Sequence, residues 1–204
     1  SMILPFAANG YDVEFYKMNH DLTGDEEDVR AKLTDGAVLL YMPYFGIRPF
    51  TDEFLLSLRA CGRGIVFVED RTHDVIVPRR DEVFTPDAVL ASLRKWAALP
   101  EGGMLRTDMG SCVSGADARF GDTRREVMEM KVRYLETWEP ELKKEFLDML
   151  HGAERLLDES GEPCGISAEY EALLRRIDFT ALLAKRRANI VRLKERLAEL
   201  DGTR

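Results

Sequence analysis

The sequence predicts an α/β fold: a mostly parallel sheet flanked by helices, with a C-terminal helical extension. Three observations predict it. The first 115 residues alternate short apolar runs, such as AVLLYMPYF and GIVFV, with helical patterns closed by glycine. These runs are rich in Val, Ile and Leu and lack polar alternation, as befits strands buried on both faces. From residue 116 onward the pattern changes to long stripes of apolar residues three and four apart. Two segments are therefore expected: residues 1–115 as an α/β core and residues 116–204 as a helical segment.

Each element has its own warrant. In YDVEFYKM, Val13, Phe15 and Tyr16 make a short strand candidate. GDEEDVRAKLTDG (24–36) is a helix with an acidic start and a glycine stop, and AVLLYMPYF is a buried strand. In TDEFLLSLRACG (51–62), Thr51 or Asp52 is the N-cap, Phe54, Leu55 and Leu58 share a face, and Gly62 is the stop. GIVFVED is again a strand, and GGMLRTD (102–108) another. Next, a stripe from Val132 to Leu156 is interrupted only by Pro140, so a kink or restart is expected near Glu139. Ser167 is placed to cap AEYEALLRRI, and a second stripe runs from Phe179 to Leu200. Core packing or an oligomer seam is the expected use of both stripes, with Lys143, Lys144, Arg186 and Arg187 on solvated faces.

Composition excludes several functions. A net charge of -8 and a pI near 5.1 argue against a nucleic-acid partner, which needs a clustered basic face. The longest apolar run, Ala37 to Ile47, contains Pro43 and Gly46 and falls far short of the roughly 20 residues that span a bilayer, so no membrane segment is expected. Cys61, Cys112 and Cys164 are odd in number and widely spaced, which fits a reducing, cytoplasmic setting. No metal-ligating spacing is present, and His20 and His151 stand alone. SMILPFAANGYD lacks the basic region and long apolar stretch of a signal peptide.

Chemistry is therefore sought in the first half, at strand ends, where open parallel sheets collect their ligands. Asp70 follows the apolar run 65–68, and a carboxylate there can emerge into a site on a fixed backbone. It can keep a heterocyclic nitrogen protonated, or it can serve as a turn acceptor before Arg71 and Thr72. Lys95 closes AVLASLRK; a desolvated lysine amine is a nucleophile able to form a Schiff base with an aldehyde. Ser92, three residues earlier, could present its hydroxyl to a phosphate on the same ligand. Arg94 is a candidate for a substrate carboxylate or phosphate, and otherwise a surface ion pair. Tyr44 and Phe45, after a strand, line a pocket or pack in the core, and Trp96 packs beside the lysine.

VEDRTHD followed by AVLASLRKWAALPEGGML resembles the DegT/DnrJ-type aminotransferases, the sugar-aminotransferase branch of the fold-type-I enzymes that use pyridoxal 5'-phosphate (PLP). YDVEFYKMNHDL, VLLYMPYFG and DFTALLAKRRANIVRLKERL are similar to intervening segments of the same proteins. The resemblance implies the large domain of the fold-type-I architecture, incomplete here, leading toward a small domain that is not present. It also implies roles: Asp70 pairs with the pyridinium nitrogen, His73 lies by the cofactor's 3-hydroxyl, Ser92 contacts the phosphate and Lys95 holds the cofactor as a Schiff base. Ser92 and Lys95 stand closer together than in most sugar aminotransferases of this type, which place a His between them. The implied reaction is amino transfer from a small-molecule donor to a keto or aldehyde acceptor, sugars among them. The family further implies a homodimer with its active site shared between subunits, and a chain that is an excerpt rather than a whole enzyme.

Two other functions compete. A catalytically silent PLP-fold remnant would act as an oligomerisation or regulatory module through its C-terminal helices. A dinucleotide-binding domain would need a GxGxxG after its first strand, and Gly62 and Gly64 instead precede one.

Overall fold

The computed structural model describes residues 3–79, 81–110, 113–159 and 163–201; Ser1 and Cys112 lie outside them. The chain is mixed α/β, with a four-stranded, mostly parallel sheet flanked by helices. It divides into two compact units. The first comprises 1–74, 79–91 and 105–109, and the second 75–78, 92–104 and 110–204.

The first unit holds α1 (Leu4–Ala8), α2 (Glu26–Lys32), β1 (Val38–Tyr41), α3 (Asp52–Ala60) and β2 (Val66–Asp70). Strand β3 (Ala88–Ser92) and strand β4 (Gly103–Thr107) complete the sheet, whose order is β1-β2-β3-β4. β1 runs parallel to β2 with Val38 opposite Val66, and β2 parallel to β3 with Val68 opposite Ala88. Asp25 caps α2, its Oδ1 accepting the Asp28 N–H at 3.0 Å. Thr51 caps α3, its Oγ1 accepting the Phe54 N–H at 3.1 Å, as the sequence predicts. Leu55, Leu58, Phe54, Phe67, Leu39 and Val29 form the centre of the core. The polar start and apolar face of α3 thus lay one helix across the strands, and the burial of that face is what holds it.

One predicted element is corrected. Residues 11–17 form no strand, and Met18 makes only an isolated bridge to Gly24. The reason is lateral tethering to α2. Lys32 Nζ donates to the Phe15 carbonyl at 2.8 Å, and the Lys17 N–H donates to Asp28 Oδ2 at 2.9 Å. These bonds take up the main-chain groups that a ladder would use, leaving Phe15 exposed and Tyr16 packed on the core.

The second unit holds β5 (Ser114–Ala116), α4 (Ala118–Thr137), α5 (Pro140–Glu159), β6 (Cys164–Gly165), α6 (Ala168–Arg175) and α7 (Phe179–Asp201). β5 and β6 form a short parallel pair. The predicted restart near Glu139 is present. Trp138 takes a left-handed conformation (φ 59°), its N–H donates to the Tyr134 carbonyl at 2.7 Å, and Pro140 opens the next helix. Of the first stripe, Phe146 and Ala153 are buried, whereas Val132, Leu135 and Trp138 are exposed. Ser167 sits at the N-cap of α6, yet its hydroxyl caps nothing; its N–H instead donates to Glu101 Oε1 at 2.8 Å.

Candidate functional site

The residues predicted to bear chemistry lie at the carboxyl ends of β2 and β3. Asp70 ends β2 and Ser92 ends β3; a 3-10 turn, Leu93–Lys95, follows, with Arg94 in it. Asp70 and His73 belong to the first unit, and Ser92, Arg94 and Lys95 to the second.

Asp70 is 2% exposed, and its Oδ1 accepts the Thr72 N–H at 2.8 Å. It is therefore a turn acceptor, one of the two roles open from sequence. Among the described residues no lysine or arginine pairs with it. Its neighbours differ sharply. Glu69 and Asp74, 4% and 3% exposed, both converge on Arg79. Arg79 Nη1 donates to Glu69 Oε1 at 2.7 Å and to Glu82 Oε1 at 2.5 Å, while Nε donates to Asp74 Oδ2 at 2.8 Å. Glu82 also faces Arg48, which pairs with Asp52 at the start of α3. Burial pushes the Glu69 carboxyl above the ordinary glutamate range, while Arg79 pulls it down. Burial also works against the Arg79 cation, but the Glu69 and Asp74 bonds outweigh it and hold its pKa above the ordinary arginine value.

Arg79 is the residue that sequence reasoning missed. It ties together the loop that links β2 to β3, which holds no helix among the described residues, so the backbone after Asp70 is set by ion pairs rather than by helix packing. The only sequence signal was an arginine among spaced acids, which carries no periodicity.

His73 stands among aromatics. Its Nδ1 accepts the Phe45 N–H at 3.3 Å, which leaves the proton of the neutral ring on Nε2. Its ring lies 4.9 Å from that of Tyr44, edge to face, and 5.3 Å from that of Phe45. Phe45 is 77% exposed and left-handed (φ 54°), a conformation that costs a non-glycine residue about 1–2 kcal/mol. Tyr44 and Phe45 thus join His73 at the surface, and the core-packing alternative for them is set aside.

Comparison with protein-family models, with curated proteins and with solved structures returns no match.

In the second unit, the Lys95 side chain is exposed. Trp96 lies under the Arg186 guanidinium, whose carbon is 4.5 Å from the indole centroid. Arg94 packs over the Phe120 ring at 5.0 Å and faces Glu154. An apolar groove of about 520 Å³ is lined by Val75, Ile76, Leu93, Phe179, Leu183 and Arg187. A second groove, in the first unit, is about 860 Å³ and runs between the starts of α2 and α3. None of Asp70, His73, Ser92 or Lys95 lines either groove, although Leu93 lies between the last two in the chain. Among the described residues no group of His, Cys, Asp and Glu is arranged to hold a metal ion, and no helix is long and apolar enough to cross a membrane.

Proposed function

We propose that the chain is part of a PLP-dependent aminotransferase of fold type I that passes an amino group to a keto or aldehyde acceptor. The observation that carries this reading is Asp70, a buried carboxylate at the end of a parallel strand with no lysine or arginine paired to it among the described residues, next to two carboxylates that share Arg79. A buried carboxylate held by a backbone N–H but by no described cation is costly, and a cationic ligand atom relieves that cost. The protonated ring nitrogen of PLP is such an atom. When bound, PLP supplies an electron sink for the carbanion formed by proton loss at a substrate's α carbon.

In this reading Asp70 keeps the ring nitrogen protonated, and His73 offers its Nε2–H to the ring hydroxyl. Ser92 offers its hydroxyl to the phosphate. Lys95 attaches the cofactor and afterwards, as a free amine, moves the substrate proton. The enzyme works as a homodimer in the cytoplasm, a setting that the exposed cysteines Cys61 and Cys164 fit.

The test is to incubate the protein with PLP, reduce with borohydride and map the modified peptide by mass spectrometry. A pyridoxyl group on Lys95, lost in Lys95→Ala, is expected. Labelling spread over the lysines, and unchanged in Lys95→Ala, would overturn the reading. In that event the silent oligomerisation module takes its place, supported by Ile190, Val191, Leu193 and Leu197, all exposed on α7. Light scattering that finds a dimer in Leu193→Lys as well as in the parent would sink that alternative.

A further inference from the structure

In the second unit, two arginines share one carboxylate. Arg94, in the turn after β3, and Arg124, on α4, each place Nη1 3.5 Å from the same oxygen, Oε1 of Glu154 on α5. Both contacts are at the outer limit of a hydrogen bond, so neither guanidinium is well satisfied. Neither makes an ion pair with any other carboxylate among the described residues. The Nε of Arg124 is buried and has no hydrogen-bond partner. Two positive charges set against one half-exposed negative charge make an electropositive cluster that is short of acceptors.

Arg94 is held by packing over the Phe120 ring and so needs no anion to position it. Burial, and then the nearby Arg94, depress the Arg124 pKa below the ordinary arginine value, with Glu154 opposing them. That is the sign of a cation short of negative charge. Glu154 is half-exposed, and on leaving it can move into solvent.

We propose that Arg94 and Arg124 form a phosphate-binding site in which Glu154 is a resident carboxylate that the incoming phosphate group displaces. A phosphate brings two charges and several acceptor oxygens where Glu154 brings one oxygen. It can therefore bridge both guanidiniums from the place Glu154 occupies, taking two N–H groups of one planar arginine fork at a time. The inference rests on the arginine pair alone and stands whether or not Lys95 carries a cofactor.

The experiment is calorimetric titration of the full chain with inorganic phosphate, repeated with acetate. Phosphate is expected to bind in a salt-sensitive manner and acetate more weakly. Arg94→Lys and Arg124→Lys each lower affinity roughly tenfold, by losing a charge-assisted forked contact. Glu154→Gln raises affinity roughly tenfold, because it removes the competing charge. A gain of this kind cannot arise from misfolding, so it keeps the test valid even if an arginine variant proves unstable. Arg125→Gln, an exposed arginine that pairs with Asp122 at 3.6 Å, leaves binding unchanged. The proposal is overturned if phosphate binds no better than acetate, if Glu154→Gln leaves affinity unchanged, or if Arg125→Gln weakens binding as much as Arg124→Lys.

Discussion

Arg79 Nη1 donates to Glu69 Oε1 at 2.7 Å across ten residues of chain, joining the end of a core strand to the loop that leaves it. Both side chains are nearly removed from solvent, and Asp74 and Glu82 share the same guanidinium. Arg79→Met would leave three carboxylates around an apolar side chain. Removing one partner from a buried ion pair costs about 3–5 kcal/mol, so the variant should unfold at clearly lower denaturant. A midpoint within error of the parent would show the cluster to be solvated and dispensable.

Asp70 invites a paired comparison. Asparagine can still accept the Thr72 N–H through its side-chain oxygen, whereas alanine removes that buried acceptor, at about 1–3 kcal/mol. Asp70→Asn should therefore fold with the smaller loss, and Asp70→Ala with the larger, in urea titrations followed by circular dichroism. In the aminotransferase reading both variants also reduce PLP-dependent labelling of Lys95. Equal labelling of parent and Asp70→Asn would separate the carboxylate's structural role from any role toward the cofactor.

Gly121 lies inside α4, where alanine would ordinarily gain about 1 kcal/mol of helix propensity. A Cβ there would meet the Tyr170 ring at 2.6 Å and the Glu101 carboxylate at 2.8 Å. Both neighbours are buried, and Glu101 is held by the Ser167 N–H. Overpacking of this kind costs about 1–3 kcal/mol, so Gly121→Ala should destabilise the protein despite its propensity. A rise in thermal midpoint for this variant would contradict the close approach.

The tyrosines give a pH signature. The Tyr170 phenol is pushed up to about 12 by burial and by donating to Asp122 Oδ1, and Tyr16 reaches about 12 by burial alone. Tyr41 is raised as well, by burial and then by the Glu69 charge. A phenol whose folded pKa exceeds its unfolded value near 10 favours the fold in its neutral form. That stability is complete below about pH 10 and is lost as pH rises toward 12. Phenolate absorbance should therefore show at least these three tyrosines ionising late, together with alkaline unfolding. Tyr170→Phe should shallow the decline, and an unchanged slope would count against its burial.

Local signals in the sequence were legible, and distant ones were not. Helix α3 declares itself through Thr51, the Phe54, Leu55 and Leu58 face and the Gly62 stop, because capping and periodicity act within one or two turns. Strand β2 is legible because a strand covered on both faces has no polar alternation to blur it. The strand expected at Tyr11 to Met18 fails because Lys32 and Asp28, more than ten positions away, take its main-chain groups. Asp70 was found at a strand end, but that no described lysine or arginine pairs with it could not be read, since that depends on where Arg79 turns. Arg94 was a candidate by proximity to Lys95. Its companion Arg124 is thirty positions away, on a helix whose stripe suggested only packing.

The order of the strands across the sheet, β1-β2-β3-β4, is also their order along the chain. During synthesis, each strand leaving the ribosome finds its partner already exposed at the growing border, released just before it. No strand has to be threaded between two that are already joined, and none has to wait for a distant stretch still to be translated. The assembly can grow like courses of brick, with β1 and the α3 face as its footing, as the nascent chain emerges.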